Sequence, residues 1–158
     1  MSFFNALRIA GSALTAQRLR TDVIANNIAN MNTTRTAEGG PYRRQQVVFG
    51  SRQETTPFRT ILLAHGIVNV PSAGPSGSGR GVGNGVQVTS VGPDGRPAKR
   101  AFEPDHPDAD TEGFVSYPDI DPVTEMADML SATRAYEANV TALNAAKAMA
   151  SKALEIGR

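Results

Sequence analysis

Residues 125–158 read EMADMLSATRAYEANVTALNAAKAMASKALEIGR, and the fold turns on this stretch. It contains no proline and a single glycine, Gly157. In a helix interior proline costs about 3 kcal/mol and glycine about 1 kcal/mol relative to alanine, so the run is helix-permissive to its end. Alanine occupies positions 132, 135, 138, 142, 145, 146, 148, 150 and 153, which raises helix propensity and allows close helix approach. Two rows recur every seven residues: Met126, Thr133, Val140, Lys147 and Leu154, and Met129, Tyr136, Leu143 and Ala150. These are the a and d positions of a coiled-coil seam. Asp121-Pro122 supplies an N-cap followed by proline at the first helical position, and Gly157 supplies a stop. The pattern predicts a helix over 123–158, about 50 Å long.

The N-terminus carries the same period. Leu7, Leu14, Thr21 and Ile28 form one row, and Phe3, Ala10, Gln17, Ile24 and Met31 the other, with polar Gln17 and Thr21 interrupting the seam. A helix over 1–32 is about 48 Å long. Between the two helices lie all ten prolines, from Pro41 to Pro122, and all but two of the fifteen glycines. YRRQQVVFG (42–50) and GVQVTSV (85–91) alternate as short strands do, and PSAGPSGSGRGVGNG (71–85) reads as a flexible loop. The expected fold is mainly α with a small β part. An N-terminal helix (1–32) and a C-terminal helix (123–158) pair as a coiled coil, joined by a Gly/Pro-rich middle (33–122) with short antiparallel strands.

Composition narrows the function. The 158 residues are 40% hydrophobic and 6% aromatic, with sixteen Lys+Arg against fifteen Asp+Glu. A net charge of +1 is not that of a dedicated nucleic-acid binder. No Cys and only two His, His65 and His106, remove thiol, disulfide and zinc-finger chemistry. The longest apolar runs, such as ILLA at 61–64, are far shorter than the roughly 20 residues that span a bilayer. No basic segment precedes the apolar residues of MSFFNALRIAGSAL, so no cleaved secretory signal is expected. Charge is also divided along the chain. Residues 1–100 hold twelve Lys/Arg and four Asp/Glu, net +8, and residues 101–158 hold four and eleven, net −7. The division reads as attraction within the chain and between neighbours, or as an accident of surface charge.

Catalytic signatures are missing: no GxxxxGK, GxGxxG, HExxH or GxSxG string occurs. The glycines at 77–85 lack the lysine and helix of a phosphate loop and read as linker. His65, in LLAHGIV, reads as a structural or surface histidine. Asp108, Asp110, Glu112, Gly113 and Asp119 fall at positions 1, 3, 5, 6 and 12 of a calcium loop. The last ligand is Asp rather than a bidentate Glu, and Pro107 and Pro118 deny the flanking helices, so an acidic solvated turn is the better reading. No cofactor and no small-molecule substrate are expected. ANNIANMNT (25–33) stands apart: Asn30 or Asn32 can stop the first helix, through a left-handed residue or a side chain on an orphan carbonyl, but capping alone does not explain so specific a string.

That string resembles the N-terminal signature of the bacterial flagellar axial proteins of rod and hook. PYRRQQVVF (41–49), EPDHPDADTEGFVSYPDI (103–120) and the stretch from Glu125 onward are similar to the rod members of the family, so the resemblance covers nearly the whole chain. It implies a structural subunit rather than an enzyme, stacked helically into the proximal rod that links the motor base to the distal rod and hook. Implied partners are copies of itself, the other proximal and distal rod proteins, the adaptor between rod and export gate, and the type III export apparatus during secretion without signal cleavage. The implied site is the periplasmic rod of the basal body. Subunit contacts are expected from Leu7, Leu14, Ile24 and Ile28, with Asn26, Asn27 and Asn30, and from Met126, Met129, Tyr136, Val140, Leu143 and Leu154. Arg134, Tyr136 and Asn139 also match the family's last helix, with Tyr136 open to either core packing or an inter-subunit contact. A free coiled-coil adaptor explains the heptads without the signature strings, and a calcium-binding or catalytic module lacks supporting residues.

Overall fold

The computed structural model describes residues 3–52 and 84–156. Helix α1 spans Phe3–Ala29, strand β1 Gln45–Ser51, β2 Val86–Pro93, β3 Lys99–Phe102, β4 Phe114–Tyr117, and helix α2 Pro122–Ile156. The protein is mainly helical with a small β part. The loop expected at 71–85 lies outside the described residues except for Asn84 and Gly85, as do His65 and Gly157.

Helix α2 starts where the Asp-Pro pair placed it. The Asp121 carboxylate accepts from the Val123 amide at 3.2 Å and from the Thr124 hydroxyl at 2.6 Å, and the Asp121 carbonyl accepts the Glu125 amide. Helix α1 ends differently from the left-handed alternative, since no described non-glycine residue has a positive φ. Instead the Asn26 carbonyl accepts the Asn30 backbone amide at 3.1 Å, and the Asn30 side-chain amide adds a second bond to that carbonyl at 2.9 Å and one to Asn26 Oδ1 at 2.8 Å.

The two helices pack on each other. Asn27 meets Glu125 and Arg20 meets Asp128, so they run in opposite directions. Along α2 the buried positions are Glu125, Ala132 and Ala146, seven residues or a multiple apart, with Asn139 half-buried between them. This row lies one residue before the expected one. Met126 is 60% and Leu154 77% exposed, Thr133 and Lys147 are exposed, and Val140 is half-buried. The row Met129, Tyr136, Leu143 and Ala150 is half-buried apart from Tyr136, which is exposed. The shift has a physical reason: alanine lets the helix axes approach, and Glu125 enters the seam because a cation neutralises it there. On α1 the buried side chains are Ala16, Val23, Ile24 and Asn27, while Leu7, Leu14 and Ile28 are half-buried. That face is wider than an a/d stripe because α1 packs on β1 and β2 as well as on α2.

β1 and β2 pair antiparallel, Gln45 opposite Pro93 through Ser51 opposite Val86, with a bulge between Val48 and Phe49. Ser12 of α1 anchors the ribbon, its hydroxyl accepting the Val86 amide at 3.1 Å. Gly85, at φ +107°, has no room for a side chain, since a Cβ there would collide with the Ser12 hydroxyl. The breaker-rich sequence gave no sign of the second pair, β3 with β4, in which Phe102 and Phe114 stand opposite and pack edge to face at 5.3 Å. Val115, Pro118 and Ile120 are buried as this hairpin leads into α2. Among the described residues no helix is long and apolar enough to cross a membrane.

Candidate assembly surfaces and the polar junction that positions them

Among the described residues two polar side chains are buried, Asn27 and Glu125, and they join α1, β1 and α2. Asn27, 1% exposed, uses all four of its hydrogen-bonding positions. Its Oδ1 accepts from the Gln45 amide at 2.9 Å and from the Tyr42 hydroxyl at 3.1 Å. Its Nδ2 donates to the Gln45 carbonyl at 2.9 Å and to Glu125 Oε2 at 3.2 Å. The side chain thus pairs with both backbone groups of Gln45 as a neighbouring strand would, where β1 begins. Glu125, also 1% exposed, receives Arg44 on its other oxygen, from Nε at 2.7 Å and from the second guanidinium nitrogen at 2.6 Å. Arg44 reaches Asp94 beyond β2 at 3.2 Å and Asp128 at 3.9 Å.

The electrostatics follow from this enclosure. Burial works to lower the Arg44 pKa, but the hydrogen bonds and charges of Glu125 and then Asp94 outweigh it and hold the guanidinium above its ordinary value. Burial, followed by the charge of Glu125, raises the Tyr42 phenol. The charge division of the sequence becomes pairing within the chain. Arg20, Arg35, Arg44, Arg96 and Lys99 all pair with acids of the last 58 residues, Asp108, Asp119, Glu125 and Asp128.

The carboxylates of the acidic turn do not converge. Asp108 accepts from the Thr34 hydroxyl at 2.8 Å, Asp110 from the Thr111 amide at 2.7 Å, and Asp119 from Lys99 at 2.7 Å, which holds the Asp119 carboxyl below the usual carboxylate range. Among the described residues no cluster of three or more His, Asp or Glu could hold a metal ion. A cleft of 380 Å³ between Tyr42, Arg44, Asp94, Arg96 and Asp119 is lined by ion-paired groups, with no nucleophile beside a base.

The residues expected to carry subunit contacts separate into two sets. Asn27 and Ile24 are buried inside the chain, and Leu7, Leu14, Ile28, Asn30, Met129, Val140 and Leu143 are half-buried. Asn26, Met126, Tyr136 and Leu154 are exposed. With Met126 stand Val123 and Leu130, more than half exposed, and Met149 joins Leu154 toward the end of α2. Sequence reasoning missed Tyr42, Arg44, Asp94 and Glu125. The available signals were an arginine pair just before a strand and an acid in the first turn of α2, beside the Met126 that the heptad reading selected.

Paired ions inside the chain and exposed apolar helix faces suit a protein that assembles with neighbours. Residues 7–35 match the family described as Flagella basal body rod protein, and residues 111–156 match Flagellar basal body rod FlgEFG protein C-terminal. The flagellar basal-body rod protein FlgC of Bacillus subtilis is 46% identical over the full length of both chains. That of Borreliella burgdorferi is 42% identical over 99% of this chain and 98% of its own, and that of Escherichia coli O157:H7 38% over the whole of both. The chain belongs to the FlgC family of flagellar basal-body rod proteins. It is a structural subunit of the rod, not an enzyme.

Proposed function

We propose that this subunit occupies the proximal rod in the periplasm, polymerises helically through its terminal helices, and carries torque from the motor to the distal rod and hook. In this reading α1 and α2 form coiled-coil layers lining a tube. Neighbours are further copies, the other rod proteins and the adaptor to the export gate, and the chain arrives through the type III apparatus without signal cleavage. One observation supports it most: Val123, Met126, Leu130, Met149 and Leu154 of α2 are each more than half exposed. Covering such side chains contributes about 1–2 kcal/mol apiece, and a neighbour in a polymer is what would cover them.

The half-buried seam residues Leu14 and Leu143 are expected to matter as well, because an aspartate at either would bury an unpaired charge. They serve the fold and the assembly together. The discriminating substitution is therefore Met126→Asp, where the side chain is exposed. The isolated variant is expected to keep its thermal stability while cells carrying it make no rod and do not swim. Normal swimming by the Met126→Asp strain would overturn the assignment of this face.

A further inference from the structure

We propose that the Asn27–Glu125–Arg44 junction is a register lock, which selects one axial alignment of the antiparallel helix pair out of several that its apolar seam would accept. The seam itself specifies little. Beyond Glu125 the inward row of α2 is Ala132, Asn139 and Ala146, so a slide by seven residues exchanges one small side chain for another. On α1 the buried Ala16 and Val23 are likewise seven apart. A slide of seven residues that carries Glu125 past Ala29 keeps the whole of α1 covered, because α2 has 35 residues against 27, and moves one helix along the other by about 10 Å.

The polar junction removes this degeneracy. Glu125 finds a cation and an amide donor only where it meets Arg44 and Asn27, and Asn27 is tied to the backbone of Gln45 from both sides. The slide past Ala29 takes Glu125 out of reach of Arg44 and Asn27. The opposite slide sets it against Arg20, a third exposed and already paired with Asp128, in place of the enclosed Arg44. Either way the buried Asn27 amide loses its carboxylate. Buried polar groups that fix register at some cost in stability are well attested in helix pairs. Register also decides where along α1 the two exposed patches of α2 stand, Val123, Met126 and Leu130 at one end and Met149 and Leu154 at the other. The consequence for assembly rests on the rod-subunit reading; the lock itself does not.

The test uses the purified full chain, which has no native cysteine, with spin labels on cysteines replacing exposed Arg18 and Lys147. The interlabel distance is read by pulsed electron paramagnetic resonance. The parent is expected to give one distance. The apolar variant Asn27→Leu/Arg44→Met/Glu125→Leu is expected to keep its helix content but to show a second population displaced by about 10 Å. A folded triple variant with the single parental distance would overturn the proposal. Should the triple variant not fold, Glu125→Gln is read in its place: it keeps an acceptor for Asn27 but loses the charge, and a minor displaced population of at least a few per cent is expected. A single unchanged distance there would equally sink the lock. Neither negative result touches the rod assignment, which the Met126→Asp strain tests separately.

Discussion

Exchanging one amide for one carboxylate, Asn27→Asp, probes the junction without altering its shape. The two acceptor contacts survive, from the Gln45 amide and the Tyr42 hydroxyl. The two donor contacts do not: the bond to the Gln45 carbonyl at 2.9 Å is worth about 1 kcal/mol, and the one to Glu125 at 3.2 Å, made to a charged group, about 1.5–3 kcal/mol. In their place an oxygen faces a carbonyl and a second carboxylate. Two like charges 4 Å apart repel by about 4 kcal/mol at an effective dielectric of 20. The variant has an escape, since the carboxylate pair can retain one proton. From an ordinary aspartate pKa near 3.9, holding that proton at pH 7 costs about 4 kcal/mol, and the new hydroxyl then restores a donor to Glu125. The penalty at pH 7 therefore falls at about 3–5 kcal/mol, a large fraction of a typical domain stability of roughly 5–15 kcal/mol.

The sign with pH follows. The shared proton is bound more tightly in the folded variant than in its unfolded chain, so folding takes up a proton. The deficit relative to the parent shrinks by up to about 1.4 kcal/mol per pH unit as the pH falls from 7 towards 5. Urea unfolding of both chains at several pH values measures it. A variant as stable as the parent at pH 7, or a deficit flat between pH 7 and 5, refutes the reasoning.

Two further outcomes follow from the same structure. The Gln17 side-chain oxygen is buried without a hydrogen-bond partner among the described residues, so Gln17→Leu is expected to stabilise the isolated chain by about 1 kcal/mol, raising Tm by about 2–4 °C in a thermal melt. The Asp121 carboxyl is held below its ordinary pKa by the Thr124 hydroxyl and then the Val123 amide, so its contribution is present above the unfolded pKa and lost as the pH falls through the folded one. Asp121→Ala should lower Tm at pH 7, with the difference from the parent closing in acid.

The helices and the first strand pair were legible because they rest on local signals. Breakers concentrated in the middle left two long helix-permissive runs, with Gly11 the one glycine inside α1, an Asp-Pro pair marked the start of α2, and alternation marked β1 and β2. The β3–β4 pair was hidden because its strands are four residues long and flank an acidic, proline-rich turn. The α2 seam was misplaced by one residue for a related reason. A reading that weights large apolar side chains selects Met126 and Leu154, while the structure buries alanines and a glutamate whose charge is met by Arg44, 81 residues away in sequence. Asn27 shows the same limit. ANNIANMNT stood out as too specific for capping, yet its partner, the backbone of Gln45, is named by no sequence pattern.

In the proposed rod, neighbours cover the outward face of α2 while its alanine row lies inside the chain. A photo-crosslinking amino acid placed at Met126, at Leu154 and, as the internal control, at Ala132 in swimming cells tests it most directly. Adducts with further copies of this chain or with other rod proteins are expected from Met126 and Leu154, and none from Ala132. Adducts from Ala132 alone, or none from either exposed position in cells with assembled rods, would contradict it.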